Sequence, residues 1–154
     1  MIHDPQHCIV KVKPLPDAGL ALHFADGYRA TVLLHGWVQR YPALRRLGDP
    51  KLFARARRDL AGGYVVWIED EIEIAADNLR NLAVEQSGGV GHERMHEWMD
   101  RNRLTQVRAA EAIGISRRML NYYLSGARPI PKTVWLACLG HEVLGRSSRG
   151  RRAA

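Results

Sequence analysis

The stretch from Leu104 to Gly126, LTQVRAAEAIGISRRMLNYYLSG, constrains the fold more than any other part of the chain. It is punctuated as one short helix, a tight glycine turn and a second short helix. Thr105 is placed to cap a helix whose inward positions are Ala109, Ala110 and Ile113, and Gly114 then supplies the permissive backbone of a sharp turn. Ser116 caps the second helix, in which Leu120, Tyr123 and Leu124 recur at three- and four-residue spacing. That spacing turns Arg117, Arg118, Asn121 and Tyr122 the other way, and these side-chain types can contact base edges and phosphates. Gly126 ends the second helix, and Pro129 and Pro131 introduce another. The plainer alternative is an ordinary helical hairpin with solvated arginines.

These residues resemble the helix-turn-helix of phage repressors and Cro proteins and their bacterial relatives, over residues 93–142. The resemblance rests on Leu104-Thr105-Gln106, then Ala110, Ile113-Gly114-Ile115-Ser116, Leu120, the aromatic Tyr123 and Ser125-Gly126. It implies that Gln106 contacts a phosphate from a helix N-terminus and that Arg117, Arg118 and Tyr122 reach into the major groove of double-stranded DNA. Ser116, Asn121 and Arg128 complete the expected DNA-binding set. Two departures stand out. Ala109 occupies a position where the family usually has leucine, so Tyr123 or Trp98 is expected to fill the space. Leu124 stands where glutamate is frequent, and so offers an apolar contact to another part of the protein.

Charge distribution points the same way. Of 23 Lys and Arg and 16 Asp and Glu, residues 1–90 hold 11 and 11, leaving 12 and 5 for residues 91–154, so the whole formal +7 belongs to the second part. A basic domain on a neutral companion is the expected footprint of phosphate binding, because each neutralised phosphate releases condensed counterions. Charge alone does not separate DNA from RNA or an anionic membrane; the helix pattern favours DNA.

A chain of 154 residues has room for one medium domain or two small ones. No apolar run approaches the roughly 20 residues of a membrane span. The opening MIHDPQHCIVKVK lacks a basic-then-apolar signal pattern, so a cytoplasmic location without membrane contact is expected. Cys8 and Cys138 read as small buried residues in a reducing compartment rather than a disulfide.

Residues 1–86 have a different texture. His7 to Lys13 alternates apolar and polar, and Leu20 to Phe24 and Tyr28 to Leu34 flank Ala25-Asp26-Gly27, a hairpin signal. His35 to Tyr41 predicts a helical turn, and Asp49-Pro50 opens another through Phe53. Ala54 to Leu60 and Tyr64 to Ile68 predict a second hairpin around Gly62-Gly63, with Ile72 and Ile74 adding a short edge. Asp77 is expected to cap a helix carrying Leu79, Leu82 and Ala83. Ser87-Gly88-Gly89-Val90-Gly91 is the clearest composition break and the expected hinge, 87–91. Lys13-Pro14-Leu15-Pro16-Asp17, Phe24-Ala25-Asp26-Gly27, Gly63-Tyr64-Val65-Val66-Trp67 and Asp77-Asn78-Leu79 are similar to a small α+β bacterial family of unassigned function. Some of its members are free-standing and others are joined to a repressor-like helix-turn-helix. The resemblance implies architecture without chemistry, leaving dimerisation or the sensing of a small molecule or protein partner as the jobs of this domain.

One motif competes. His92-Glu93-Arg94-Met95-His96 is HExxH, which on a helix lets two imidazoles one turn apart reach one Zn²⁺ while the glutamate acts as general base. Here it starts one residue after the glycine break, carries an uncharacteristic Arg94 and lacks the metzincin continuation at Met99 and Asn102. The same residues serve as the first helix of a repressor-like domain, with Met95, Trp98 and Met99 inward. His3, His7 and Cys8 form a weaker ligand set without the paired spacing of zinc sites, and Glu69-Asp70-Glu71 with Glu73 reads as a solvated strand rim. No metal and no cofactor are therefore expected.

The fold expected is α+β: an N-terminal small antiparallel β-sheet domain with a helix, 1–86, and a C-terminal all-α helix-turn-helix domain, 92–142. A basic tail, 143–154, is expected to be disordered. The expected function is a non-enzymatic, sequence-specific, repressor/Cro-like transcriptional regulator, working as a homodimer because one short recognition helix reads few base pairs. An antitoxin or autoregulator binding a partner protein through the first domain is the alternative, and a zinc metallopeptidase through His92 and His96 is the remote one.

Overall fold

The computed structural model describes residues 4–153, with side chains described for residues 4–147. The chain divides into two compact units, Met1–Gln86 and Ser87–Ala154. The fold class is α+β.

The first unit opens with a three-stranded antiparallel meander: β1 (Ile9–Leu15), β2 (Gly19–Phe24) and β3 (Arg29–Leu33). Alternation decides its faces. In β2, Leu20, Leu22 and Phe24 are buried while Ala21 and His23 between them are only half-buried, as a period of two requires. Asp26 accepts the Tyr28 N–H at 3.1 Å and sets the Ala25-Asp26-Gly27 turn. Next come α1 (His35–Arg40), a 3₁₀ segment over Pro42–Gly48 and α2 (Pro50–Phe53), whose start is capped by Asp49 accepting the Lys51 N–H.

Another antiparallel sheet completes the strands: β4 (Arg57–Arg58), β5 (Tyr64–Ile68) and β6 (Ile72–Ala75). Its first strand is much shorter than the Ala54 to Leu60 expected. Arg55 and Ala56 donate their N–H groups to Leu52 and Phe53 carbonyls, so the exit from α2 consumes backbone that the hairpin would have used. The sheets are laced by Ile9 N–H donating to Gly62 O at 2.8 Å. Gly62 has φ 78°, and a Cβ there would sit 2.5 Å from Ile9 O, so only glycine fits this approach.

Helix α3 (Ala76–Gln86) begins two residues earlier than Asp77 capping predicts. The Ala76 N–H is already taken by Gly63 O at 2.8 Å, so the chain enters the helix directly from β6, with Asp77 in the first turn. Leu79 and Ala83 of α3 join Leu20, Leu22, Phe24, Val32, Val65, Trp67, Ile72 and Ile74 in one apolar core. Arg80 pins the helix to the first hairpin: it donates to both Asp26 carboxylate oxygens, at 3.1 and 2.8 Å, and lies 3.9 Å over the Tyr28 ring. Gln86 pairs its side-chain amide with both the N–H and C=O of Leu33, at 2.8 and 2.9 Å, covering part of the exposed edge of β3.

The second unit is helical: α4 (His92–Arg101), α5 (Gln106–Ile113), α6 (Arg117–Leu124) and α7 (Lys132–Ala153). Its core is built on Trp98, fully buried, with Met95, Ala109, Ala110, Leu120, Tyr123, Leu124, Ile130 and Cys138. Tyr123 and Trp98 share this core with the small Ala109. Leu124, expected to reach another part of the protein, instead belongs to this core. Glu142 anchors α7 to the end of α4: Arg101 Nε donates to it at 3.1 Å and Asn102 Nδ2 at 3.5 Å.

Order expected to fail after residue 142 continues instead, since α7 runs through Ala153. Once a helix is anchored, adding a residue costs far less than nucleating a turn, and arginine and alanine are strong helix formers. Arg146 also pairs with Glu142 one turn back, at 3.6 Å. No helix among the described residues is long and apolar enough to cross a membrane. Both cysteines are free: Cys8 is half-buried, and burial pushes the Cys138 thiol up to about 11.

Candidate nucleic-acid interface

The α5–α6 pair is built by local rules. Thr105 Oγ1 accepts the Arg108 N–H at 3.3 Å and Ser116 Oγ accepts the Met119 N–H at 3.1 Å, so each short helix starts on a side-chain cap. Between them Gly114 takes φ 72°. Ile115 N–H donates to Ala110 O at 3.0 Å and Gly114 N–H to Glu111 O at 3.3 Å, the paired closure that ends a helix and turns the chain sharply.

Burial of Leu120, Tyr123 and Leu124 leaves Arg117, Arg118 and Asn121 exposed on the opposite side of α6. Tyr122 is half-buried and organises two cations. Arg118 Nε donates to its hydroxyl at 3.0 Å, and the Arg128 guanidinium lies 4.6 Å from its ring centre. Arg128 is placed by its own N–H donating to Tyr122 O at 3.3 Å, so the loop after α6 returns to the helix. Gln106 is the exposed first residue of α5. Ser116 is exposed too, but its hydroxyl is engaged as the cap, which makes it a positioner of α6 as well as a surface group. The expected residues thus fall into Arg117, Arg118, Asn121, Tyr122 and Arg128 at α6 and the loop after it, with Gln106 and Ser116 at the two helix starts.

Sequence spacing does not reveal what holds α6 in place. His96 Nε2 donates to Leu124 O at 2.8 Å, satisfying a carbonyl at the end of α6 from a different helix. The same bond bears on HExxH, because a metal bound through His96 Nε2 would have to displace it. The distance in sequence, 28 residues, hides the bond from any local pattern. Among the described residues no three His, Cys, Asp or Glu side chains gather to hold a metal ion. His3, of the weaker His3-His7-Cys8 set, lies outside the described residues. The acidic Glu69 and Glu71 pair with Arg57 and Arg46, at 3.6 and 3.1 Å.

In chemical terms, the face of α6 offers two planar guanidiniums and one amide at a helix start, able to form paired hydrogen bonds with base edges, and a third guanidinium stacked on tyrosine. Gln106 adds a donor beside free N–H groups at the start of α5, where the helix dipole favours an anion.

No protein-family model matches the chain, and no curated protein does. Among solved structures it is similar to a crystal structure from Nitrosomonas europaea ATCC 19718, that of NE0471, provisionally named a DNA-binding protein. The two are 38% identical with a TM-score of 0.79, over 88% of this chain and 86% of that one. The chain belongs to the same family as that protein.

Proposed function

We propose, with that family membership as the premise, that the chain is a sequence-specific DNA-binding regulator of transcription, non-catalytic and cytoplasmic, whose second unit is a repressor/Cro-like helix-turn-helix. The observation that carries the reading is the α6 surface: Arg117, Arg118 and Asn121 exposed at and after a capped helix start, with Arg118 and Arg128 organised around Tyr122. In this reading α6 enters the major groove, Arg117 and Arg118 read bases, and Gln106 holds a phosphate from the start of α5. Ser116 and Tyr122 fix the register of the arginines, and Asn121 and Arg128 extend the contact. The working unit is a homodimer, since one eight-residue helix reads too few base pairs to define a site. The first unit serves pairing or sensing of a small-molecule or protein partner.

Selection of bound duplexes from a random pool tests this directly. The reading expects a defined motif with two-fold symmetry. Gln106→Ala should then weaken all sequences alike, because phosphate contacts position without specifying. A pool that enriches no motif would refute sequence-specific binding.

A further inference from the structure

The first unit is electrically neutral in sum, yet its charges are segregated. The outward face of the first sheet carries Lys11 and Lys13 on β1 and Arg29 on β3, all exposed, with His23 on β2 between them. Register makes the row explicit: Lys11 is opposite His23, and His23 is opposite Arg29. The next row on the same face is Lys13, Ala21 and Thr31, and the small Ala21 and Thr31 keep the surface low. Together they line an open depression of about 520 Å³. Strands about 4.8 Å apart and residues about 3.3 Å apart along a strand bring the three cations onto a patch roughly 10 Å across.

Among the described residues, no hydrogen bond or ion pair takes up the charged ends of Lys11, Lys13 or Arg29, or the His23 ring. Carboxylates of this unit pair with other cations, among them Asp26 with Arg80, Glu69 with Arg57 and Glu71 with Arg46. Like charges gathered across strands oppose sheet formation. A face that keeps them unneutralised is complementary to a dense external anion.

We propose that this outward sheet face is a second DNA contact surface, taking phosphodiester backbone through Lys11, Lys13 and Arg29 without reading bases. The inference rests on the DNA-binding reading of the chain and deepens it. The face has no recognition helix to enter a groove, and its cations are not oriented by any partner among the described residues, so its contribution is affinity and salt dependence alone.

The test uses the full chain in three forms: wild type, Lys11→Gln/Lys13→Gln/Arg29→Gln, and Arg117→Ala/Arg118→Ala. Binding to the selected duplex and to a scrambled one is measured from 50 to 200 mM salt, with folding checked by thermal melting. The sheet variant is expected to keep its preference for the selected site while its log–log salt slope falls by up to about 3, roughly 0.9 per lost phosphate. Across that salt range wild type then loses affinity by roughly 40-fold more than the sheet variant. The α6 variant is expected to lose preference and keep most of the slope. A sheet variant with wild-type slope and affinity on both duplexes would overturn the inference while leaving the reading of α6 intact. A changed sheet slope beside an α6 variant of unaltered preference would sink the α6 reading and leave the sheet face standing. Wild type that binds neither duplex overturns both. Loss of binding to anionic phosphatidylserine vesicles by the sheet variant, with duplex binding untouched, would assign the face to a membrane and overturn the inference as well.

Discussion

The helical unit and the sheet unit both present arginine and lysine to solvent, but they hold them differently. At α6, Arg118 is tied to the Tyr122 hydroxyl and Arg128 is stacked on the Tyr122 ring, so their guanidinium planes are oriented before any ligand arrives. On the β1–β3 face, Lys11, Lys13 and Arg29 are tied to nothing among the described residues. Oriented planar donors discriminate, because a misdirected bidentate contact loses both hydrogen bonds; untethered charges attract any nearby phosphate and discriminate little. Reading and holding are thus separable physical tasks, and in the proposed account this chain assigns them to different surfaces.

The sharpest way to break the comparison is to remove one unit's core. Trp98 is fully buried and lies edge-on to His141, ring centres 5.7 Å apart. Trp98→Ala should cost about 3 to 5 kcal/mol, enough to unfold a small domain. Chemical denaturation monitored by circular dichroism should show the helical transition lost and the transition of the sheet unit unmoved. Simultaneous loss of both transitions would show that the units do not fold independently.

Gly114 makes a gentler probe of the α5–α6 turn. Nothing lies within 4 Å of where its Cβ would be, so Gly114→Ala meets no clash and suffers only the strain of φ 72°. The cost should be about 1 to 2 kcal/mol, read as a shift of the helical transition alone. A value near zero would mean that the turn relaxes to another conformation.

His96→Ala removes the donor to Leu124 O and should cost about 1 kcal/mol. The sequence turns only Met95, Trp98 and Met99 of this helix inward, and the structure adds His96 to the residues that hold the domain together. Zinc titration belongs with it: tightly held zinc near one equivalent per chain, lost on mutation of His96, would contradict the structural role given to that ring.

The smallest effect is acid-dependent, with one example in each unit. The hydrogen bond from Arg80 holds the Asp26 carboxyl below the usual aspartate range, and that from Arg101 does the same for Glu142 below the glutamate range. A depressed folded-state pKa gives stability that is present above the unfolded pKa and lost as pH falls through the folded value. Stability of each unit should therefore fall below about pH 4. Asp26→Asn should flatten the acid limb of the sheet unit and Glu142→Gln that of the helical unit, each leaving the other unchanged in urea melts.

Legibility in the sequence tracks how far each interaction reaches along the chain. Thr105, Gly114 and Ser116 act on backbone within a few residues, so the α5–α6 pair can be read directly, and Asp49-Pro50 and Ala25-Asp26-Gly27 are readable for the same reason. The His96 bond to Leu124 O, the Glu142 anchor and the return of Arg128 onto Tyr122 depend on which helices meet, and no local spacing encodes that. The short β4 reflects competition for backbone by the exit from α2. The helical continuation of α7 comes from its anchored start, where composition alone predicts no order. Net charge misleads in its own way, because a neutral sum for residues 1–90 conceals a cationic face balanced by acidic residues elsewhere. The context of HExxH already argues against a zinc site in the sequence, and the structure adds a specific occupant for one of its two rings.

The central claim is that α6 reads sequence, and the ratio of affinities for a selected duplex and its scrambled counterpart measures this most directly. With Arg117 and Arg118 both replaced by alanine, each lost base contact should cost about 1 to 3 kcal/mol of discrimination. The ratio should then collapse by about 30-fold at the least, since about 2 kcal/mol in sum is about one and a half orders of magnitude, while affinity for the scrambled duplex changes much less. An unchanged ratio, with both duplexes weakened equally, would show that these arginines only neutralise phosphate and that sequence is read elsewhere or not at all.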